Sequence, residues 1–509
     1  MSRTRRFLDG VALTYVNQVF VMLVGLWLTP FLLHRLGQHD FGLWLIGLKA
    51  LSYLSLLDIG VLALLPREVA YAKGRMAIGE PSSVVRSLIE ETTFVVFTQL
   101  PVLIVASVIA WQMMPRENTQ FRNSAGILLA VFAIQFPLKI AYAALEGLQE
   151  LGYLGTLQLI GWVAGLMVNV GLVAMGHGLY GLAFGWGVTQ AVLSLGAIWK
   201  LYRSYSEFAP FRLRAISWKK YKGIIGSGLW VSLSQVAQLL RTSDFLLIGK
   251  ILGAPAVVPY SCSGKLVAIG QNQPLAIMQS AQPALSELRV AAERKHVAQV
   301  VGSLTQAMLL LSGLATIVIL AVNHAFVVRW VGATQYLGFT LTLLLLLDML
   351  CRHWNVTTIY SLFAFGRQRH LSTVAVIDGA LTAALSCGLI MVMGPIGAPL
   401  GSLLTVIIVS LPWNLRVLAK ELDCSFADLM KPIVPWALRF IPLLLLLGLL
   451  GTKLLPANYL FVAIGSVVVT ALYVGSQWKV FRNSRLYGYV RQQLTFLERP
   501  VKEPDLVTK

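Results

Sequence analysis

The sequence predicts an all-α membrane protein that crosses the bilayer about fourteen times. Three observations favour this class: 57% of the residues are hydrophobic, only 12% are charged, and the mean hydropathy is +0.73. A soluble domain carries about twice that charged fraction. Apolar runs long enough for a membrane-spanning helix, about 20 residues, recur along the whole chain. A transmembrane β-barrel would instead show alternating segments of about ten residues.

Hydropathy also locates the individual spans. They lie at roughly 10–33, 41–66, 88–111, 124–145, 153–175, 179–199, 224–251, 257–284, 298–321, 337–364, 371–393, 396–418, 436–455 and 458–480. The basic start MSRTRR resembles the charged region of a signal peptide. The apolar run after it is too long for a signal-peptide core and no small-residue cleavage site follows, so we expect it to be retained as the first helix.

The net charge of +19 follows the membrane topology rather than a nucleic-acid surface. With the N-terminus inside, 29 of the 41 lysines and arginines fall in inside segments and 5 in outside loops. This positive-inside asymmetry predicts that both termini are cytoplasmic and that nucleic acid is not a partner. The connector 200–223 combines seven cations with interleaved aromatic residues. We expect it to lie on anionic lipid headgroups, with a specific regulatory role as the alternative.

The sequence lacks the usual marks of an enzyme or a metal site. Its four cysteines are scattered without CxxC spacing, which predicts no disulfide framework, metal site or cofactor. The outside loops reach only about 15 residues, and no GxSxG, HExxH or P-loop motif occurs. We therefore expect a transporter, and a membrane glycan polymerase or ligase is the alternative from another class.

An internal repeat divides the chain. GLQELGYLGTLQ at 147 matches GRQRHLSTVAVI at 366, an offset of 219 residues that also relates Gly178 to Gly397. Earlier in each copy, Leu36-Gly37 matches Leu252-Gly253 at an offset of 216. Because six spans precede the second copy, both copies enter the membrane from the same side. Two parallel six-helix lobes related by a pseudo-two-fold axis along the membrane normal are typical of transporters.

The repeat sets the predicted domain boundaries. We expect an N-terminal lobe, a basic linker, a C-terminal lobe, two additional helices and a cytoplasmic tail, at residues 1–199, 200–223, 224–420, 421–481 and 482–509.

Polar side chains inside four spans recur on single helix faces. They are Ser261, Lys265, Asn272, Gln279 and Ser286 in span 8, Ser234, Gln235, Gln238, Arg241 and Thr242 in span 7, Asp348, Arg352 and Asn355 in span 10, and Gln135, Lys139, Tyr142 and Glu146 in span 4. Stripes of this kind face a bundle interior or water, because lipid would leave them unsolvated. They favour a hydrated cavity, although for any one residue an interhelical hydrogen bond is the alternative.

The charges inside the spans fall into two groups. Arg241 with Asp244, and Asp348 with Arg352, have helical i,i+3 and i,i+4 spacings, which suit either local neutralisation or a switchable pair. Lys49 and Lys265 have no acid of this kind within four residues, and an offset of 216 superimposes them. One ammonium group per lobe suits an anionic ligand. Pairing with a carboxylate on another helix is the alternative.

Four stretches resemble the multidrug/oligosaccharidyl-lipid/polysaccharide (MOP) exporter superfamily, and within it the Wzx-type polysaccharide flippases and their lipid II relatives. The stretches are FGLWLIGLKALSYLSLLDIGVLALLPREVA (41–70), FVVRWVGATQY (326–336), LFAFGRQRHL (362–371) and GPIGAPLGS (394–402). The resemblance implies a flippase that moves an undecaprenyl-pyrophosphate-linked oligosaccharide, an O-unit or exopolysaccharide repeat, to the periplasmic leaflet by alternating access. A lipid II flippase and a MATE-like cation or drug antiporter are the alternatives.

The resemblance also implies a basic central cavity, since relatives carry cations on helices 1, 2, 7 and 8. Lys49, Arg241 and Lys265 match helices 2, 7 and 8, whereas helix 1 has Asn17 and Gln18 and no buried arginine, which favours a surface glycan over lipid II. The expected substrate-binding residues are Lys49, Arg241, Lys265, Lys139, Arg352, Asn17, Gln18, Gln235, Gln238 and Asn272. Asp244 and Asp348 are the expected coupling or switch residues.

The remaining expectations concern the protein's surroundings. The resemblance implies a monomer in the bacterial inner membrane, in contact with anionic lipids. Its implied partners are the polyprenyl-pyrophosphate-linked glycan and the polysaccharide polymerase or chain-length machinery.

Overall fold

The computed structural model describes most of the chain. The described residues are 3–58, 60–76, 81–112, 114, 118–210, 218–272, 274–275, 278, 281–282, 285, 288, 294–450, 455–483 and 487. Gln279 and Ser286 of the predicted span 8 stripe, and almost all of the predicted tail 482–509, lie outside these residues. The side chains of Asp58 and Ser234 are likewise not among those described.

All regular elements in the described ranges are helices, and they divide into two compact units, Met1–Val258 and Pro259–Lys509. The helices of the first unit are α1 (Arg3–Leu54), α2 (Val61–Met76), α3 (Ser83–Gln112), α4 (Thr119–Gly147), α5 (Leu151–Ala174), α6 (Leu179–Ser204), α7 (Trp218–Arg241) and α8 (Asp244–Leu252). Helix α9 (Ala254–Ser263) spans the boundary at which the units are divided.

The second unit continues with α10 (Lys265–Asn272). It is followed by α11 (Arg294–Val331), α12 (Phe339–Ala364), α13 (Gln368–Met393), α14 (Gly397–Thr405), a π-helical turn at Val406–Ser410, α15 (Leu411–Glu421), α16 (Phe426–Met430), α17 (Val434–Leu450) and α18 (Tyr459–Asn483). The hydrophobic core of this unit lies around α11, which packs on α12, α17 and α18.

The described helices confirm a polytopic membrane protein. Eight helical stretches of the described residues are long and apolar enough to cross a bilayer, one of which, Gln368–Glu421, comprises α13 to α15, and Val434–Leu450 is a shorter apolar helix. The count of fourteen spans stays a prediction, because several predicted spans are interrupted. Span 7 is divided between α7 and α8, and span 8 between α9 and α10.

The backbone repeats at the first turn of each copy. Gly37 has φ 77° and ψ 171°, and Gly253 has φ 89° and ψ 159°. A side chain with a Cβ atom is strained in this region, which glycine adopts freely. The predicted match of Leu36-Gly37 with Leu252-Gly253 is therefore a structural equivalence, at an offset of 216.

The turns after α4 and α12 are also alike, residue by residue. Leu148 and Phe365 have φ/ψ of −76°/0° and −78°/0° and end their helices. The next residues, Gln149 and Gly366, have φ of 67° and 76°. The predicted register of 219 pairs Gly147 with Gly366 and is wrong here, because the backbone pairs Gln149 with Gly366, at an offset of 217.

A third equivalence lies where the sixth helix of each copy packs on the fifth. A Cβ atom on Gly181 would lie 2.9 Å from the Val173 nitrogen, and one on Gly397 would lie 2.2 Å from the Leu389 carbonyl carbon. Both glycines begin a GxxxG sequence that brings two helix backbones together. Gly397 is thus equivalent to Gly181, again at an offset of 216, and the predicted pairing with Gly178 is wrong.

The first part of the basic connector is packed against the first unit. Phe208 is 4% exposed, and Ala209 is fully buried. The Tyr205 hydroxyl donates to the Glu150 carboxylate, and Lys200 lies 3.8 Å from the same carboxylate. These contacts fix the chain at the end of α6 before residues 211–217, which lie outside the described part.

Candidate functional site

Lys49 lies in the last turns of α1, just before span 2 is interrupted. Helix α1 ends at Leu54, a 3-10 turn follows at Ser55–Asp58, and Gly60 has φ 65°. The Lys49 ammonium group lies 5.4 Å from the centre of the Phe245 ring on α8. Lys49 is half-buried, and it forms no ion pair with any acidic side chain in the described part of the chain. The contact of Lys49 with the Phe245 ring is thus a cation–π interaction.

The α7–α8 interruption lies next to α1. The Tyr53 hydroxyl donates a 2.7 Å hydrogen bond to the Leu239 carbonyl, which joins α1 to the end of α7. Arg241 is the last residue of α7 and donates to the Gln238 side chain. Asp244 is the first residue of α8. A cation at a helix C-terminus and an acid at a helix N-terminus each stabilise the dipole of their own helix, so these positions favour the interruption between α7 and α8.

The structure therefore brings two of the three predicted cations into one unit. Lys49 and Arg241 lie on neighbouring elements of the first unit, together with Gln235, which is half-buried, and Gln238, which is exposed. Lys265 lies in the second unit, as the first residue of α10, and is half-buried. Asn272, also predicted, is exposed at the end of the same helix.

Three other predicted residues of the first unit lie on α1 and α4. The Lys139 ammonium group on α4 lies 5.1 Å from the centre of the Phe132 ring. Asn17 is 6% exposed and donates a 2.9 Å hydrogen bond to the Gly155 carbonyl, which joins α1 to α5. Gln18 is exposed. The contact of Asn17 is a helix-packing contact, typical of amides in membrane bundles.

Arg352 belongs to a closed network in the second unit. Its guanidinium donates to Asp348 at 3.1 Å, to Asp378 at 3.2 Å and to the Ser402 hydroxyl at 2.7 Å. The Ser402 hydroxyl donates to Asp348 at 2.8 Å, and the Ser410 hydroxyl donates to Asp378 at 3.1 Å. Two carboxylates thus share one guanidinium in this network.

Sequence reasoning identified only part of this network. The i,i+4 spacing predicted the contact of Asp348 with Arg352 and it is present. Ser402 and Ser410 carry no signal in the sequence that separates them from other serines of apolar helices. Likewise, no local pattern in the sequence indicated Phe245, which contacts Lys49, or Tyr53, which is hydrogen-bonded to the end of α7. In the described ranges, no three His, Cys, Asp or Glu side chains are grouped closely enough to bind a metal ion.

Comparison with known proteins supports the fold class. Residues 91–341, just under half of the chain, match the family described as "Polysaccharide biosynthesis protein". No curated protein matches the sequence. The fold is similar to that of lipid II flippase MurJ in an inward closed conformation, with a TM-score of 0.67 and 10% identity over 93% of this chain and 99% of that chain.

Two further solved structures share the fold. An inward-facing multidrug resistance MATE family transporter of the MOP superfamily has a TM-score of 0.57 and 12% identity over 81% of this chain and 99% of that chain. A MOP superfamily transporter from Pyrococcus furiosus has a TM-score of 0.51 and 13% identity over 82% and 95%. The chain thus has the fold of these solved structures, as the resemblance seen in the sequence implied.

Proposed function

We propose that the protein is a flippase for an undecaprenyl-pyrophosphate-linked oligosaccharide. It moves an O-unit or exopolysaccharide repeat from the cytoplasmic to the periplasmic leaflet of the bacterial inner membrane by alternating access. In this proposal both termini are cytoplasmic, the protein works as a monomer without a cofactor, and it catalyses no covalent step. The polysaccharide polymerase or chain-length machinery receives the product.

One observation carries the proposal. Lys49 and Lys265 each lie twelve residues after a glycine of the same unusual conformation, Gly37 and Gly253. Neither ammonium group forms an ion pair with an acidic side chain of the described residues. A charged side chain within a span costs about 2.5–3.5 kcal/mol on insertion scales. An anionic ligand explains why two equivalent positions retain that cost.

The chemistry of a pyrophosphate suits these groups. A pyrophosphate cannot cross hydrocarbon unless its water molecules are replaced by other hydrogen-bond donors. Ammonium groups can replace them as charge-assisted donors. Arg241, Lys139, Gln235, Gln238 and Asn272 are further proposed contacts. Arg352 and Asn17 are hydrogen-bonded to neighbouring helices, so we assign them a structural role. Gln18 is exposed, and we propose that it contacts the substrate only from the surface of α1.

Substitution of the two lysines tests the proposal. Lys49→Ala and Lys265→Ala should each abolish export of the glycan in a flippase-deficient strain, while the protein remains in the membrane. Lys250→Ala is the matched control, because Lys250 is an exposed lysine on α8. Normal export by both lysine variants would show that the pyrophosphate is bound elsewhere.

Lipid II is the second candidate substrate. The similarity to the MurJ fold over 93% of the chain favours it, and the absence of an arginine from the first predicted span, 10–33, favours a surface glycan. Expression in two depleted strains separates them, one lacking its O-unit flippase and one lacking its lipid II flippase. Rescue of only the strain that lacks its lipid II flippase would identify lipid II, rather than a surface glycan, as the substrate.

Coupling is a separate part of the proposal. Asp244 at the start of α8 and Asp348 in the Arg352 network are the proposed coupling or switch residues. Proton flux in vesicles that contain the Asn variants tests this role. Flux equal to that of the unmodified protein would remove both residues from the mechanism.

A further inference from the structure

The interruption of span 8 lies directly beside Lys265. Helix α9 ends at Ser263, Gly264 forms a turn, and α10 starts at Lys265. Two backbone hydrogen bonds still join the two helices at this turn, from the Gly264 N–H to the Tyr260 carbonyl at 3.0 Å and from the Ala268 N–H to the Gly264 carbonyl at 2.9 Å, and other elements add to this attachment. Within a continuous helix this attachment would follow from the backbone hydrogen bonds alone.

Side chains from other elements hold this turn in place. The Ser263 carbonyl accepts a 2.9 Å hydrogen bond from the Asn323 side-chain amide on α11. The same amide donates to the Thr342 hydroxyl on α12 at 2.9 Å. Ser263 and Asn323 are both fully buried. A buried main-chain carbonyl needs a hydrogen-bond donor, and here a side chain supplies it.

A loop closes on the turn from the other side. The Ser263 hydroxyl donates to the Gln335 carbonyl at 3.2 Å and accepts from the Leu337 N–H at 2.9 Å. The loop is bounded by Gly332 and Gly338, whose φ values are 100° and 101°. Ser263 is thus bonded to α11 through its carbonyl and to the loop 332–338 through its hydroxyl.

The equivalent position of the first unit is different. The offset of 216 pairs Ser263 with Gly47, which has no side chain and lies inside the continuous part of α1 between Gly37 and Leu54. Lys49 therefore lies within an unbroken helix, whereas the start of α10 is held by hydrogen bonds to other elements as well as by the helical backbone.

We propose that Asn323 is a positioning residue for Lys265. By holding the Ser263 carbonyl, it fixes the start of α10 and the direction of the Lys265 ammonium group towards the anionic substrate. This inference rests on the proposed function for the identity of that substrate. The positioning itself is independent of the substrate and can be measured separately.

The reactivity of the two lysines provides the measurement. The purified full-length protein is labelled with an acetylating reagent, and the acetylation rates of Lys265 and Lys49 are determined by mass spectrometry in the same sample. Asn323→Leu removes the amide donor at similar size, and Ser263→Ala removes the bonds to the loop. Each should change the Lys265 rate severalfold relative to Lys49, because the ammonium group moves.

A buried asparagine elsewhere in the unit is the matched control. Asn355 on α12 is 3% exposed and accepts a 2.9 Å hydrogen bond from Asn414 on α15. Asn355→Leu should lower the melting temperature but leave the ratio of the two acetylation rates unchanged. If Asn323→Leu and Ser263→Ala also leave the ratio unchanged in folded protein, the positioning role is refuted.

Binding of undecaprenyl pyrophosphate separates this inference from the proposed function. Asn323→Leu should weaken its binding about tenfold, the effect of losing one buried hydrogen bond, and Asn355→Leu should not. A changed acetylation ratio in a protein that does not bind this lipid would support the positioning role and refute the substrate. Full affinity in Asn323→Leu, with Lys265→Ala impaired, would refute the positioning role alone.

Discussion

The Arg352 guanidinium donates a 3.2 Å hydrogen bond to the Asp378 carboxylate, and this contact joins α12 to α13 inside the second unit. The Asp378 side chain is 1% exposed, and that of Arg352 is 13% exposed. Asp348 supplies a second carboxylate one helical turn before Arg352. Because both carboxylates are bonded to the same guanidinium, its removal deprives each of them of this ion pair.

Arg352→Met should therefore destabilise the protein strongly, by about 3–5 kcal/mol, the usual cost of breaking a buried pair. The measurement is thermal unfolding of the purified protein in detergent. The triple variant that also carries Asp348→Asn and Asp378→Asn should recover much of the loss, since it contains no uncompensated charge. An Arg352→Met variant as stable as the unmodified protein would show that the network is not structural.

The close approach of α13 and α14 gives a second prediction. A Cβ atom on Gly397 would lie 2.2 Å from a backbone carbon, whereas one on Gly388 meets nothing within 4 Å. Gly397→Ala should therefore reduce the yield of folded protein or its melting temperature. Gly388→Ala, the control on α13, should be neutral or stabilise by about 0.5–1 kcal/mol, because alanine is the better helix former. Equal effects of both variants would contradict the tight packing.

The fold was largely predictable from the sequence, because long apolar runs depend on the bilayer rather than on tertiary contacts. The register in which the two copies of the repeat align was harder to predict. Sequence identity paired Gly147 with Gly366, although the backbone pairs Gly366 with Gln149, a left-handed residue that is not glycine. Similar residues and similar conformations need not coincide when a turn tolerates more than one residue type.

The contacts of the candidate site depended on tertiary structure. Helical spacing predicted Asp348 beside Arg352 but could not predict Asp378 or Ser402, which come from helices that follow later in the chain. In the same way, nothing local indicates that Lys49 meets Phe245, almost 200 residues further on. Periodicity describes one helix face, whereas the partner of that face is set by packing.

The contact of Lys49 with Phe245 gives a third prediction. Phe245→Leu removes the aromatic face but keeps an apolar side chain, at a cost of about 0.5–2 kcal/mol in cation–π attraction. The Lys49 ammonium group should become more mobile and react faster with an acetylating reagent. The rate at the exposed Lys250 should not change. An unchanged Lys49 rate would show that the ring does not hold the ammonium group.

The fourth prediction concerns the exposed helix α16, outside the predicted spans. Ser425 caps it: the Asp428 N–H donates to the Ser425 hydroxyl at 3.2 Å, and the Ser425 N–H donates to the Asp428 carboxylate at 3.1 Å. Hydrogen bonds from Lys431 and Ser425 lower the pKa of Asp428 from 3.8 to about 2. Stabilisation of the cap is therefore complete above pH 4 and is lost as the pH falls through about 2. At pH 4, pepsin should cleave the Asp428→Asn and Ser425→Ala variants near Phe426. The unmodified protein and the control variant Ser425→Thr should resist cleavage at the same pH. Equal cleavage of all four proteins would contradict a stabilising cap.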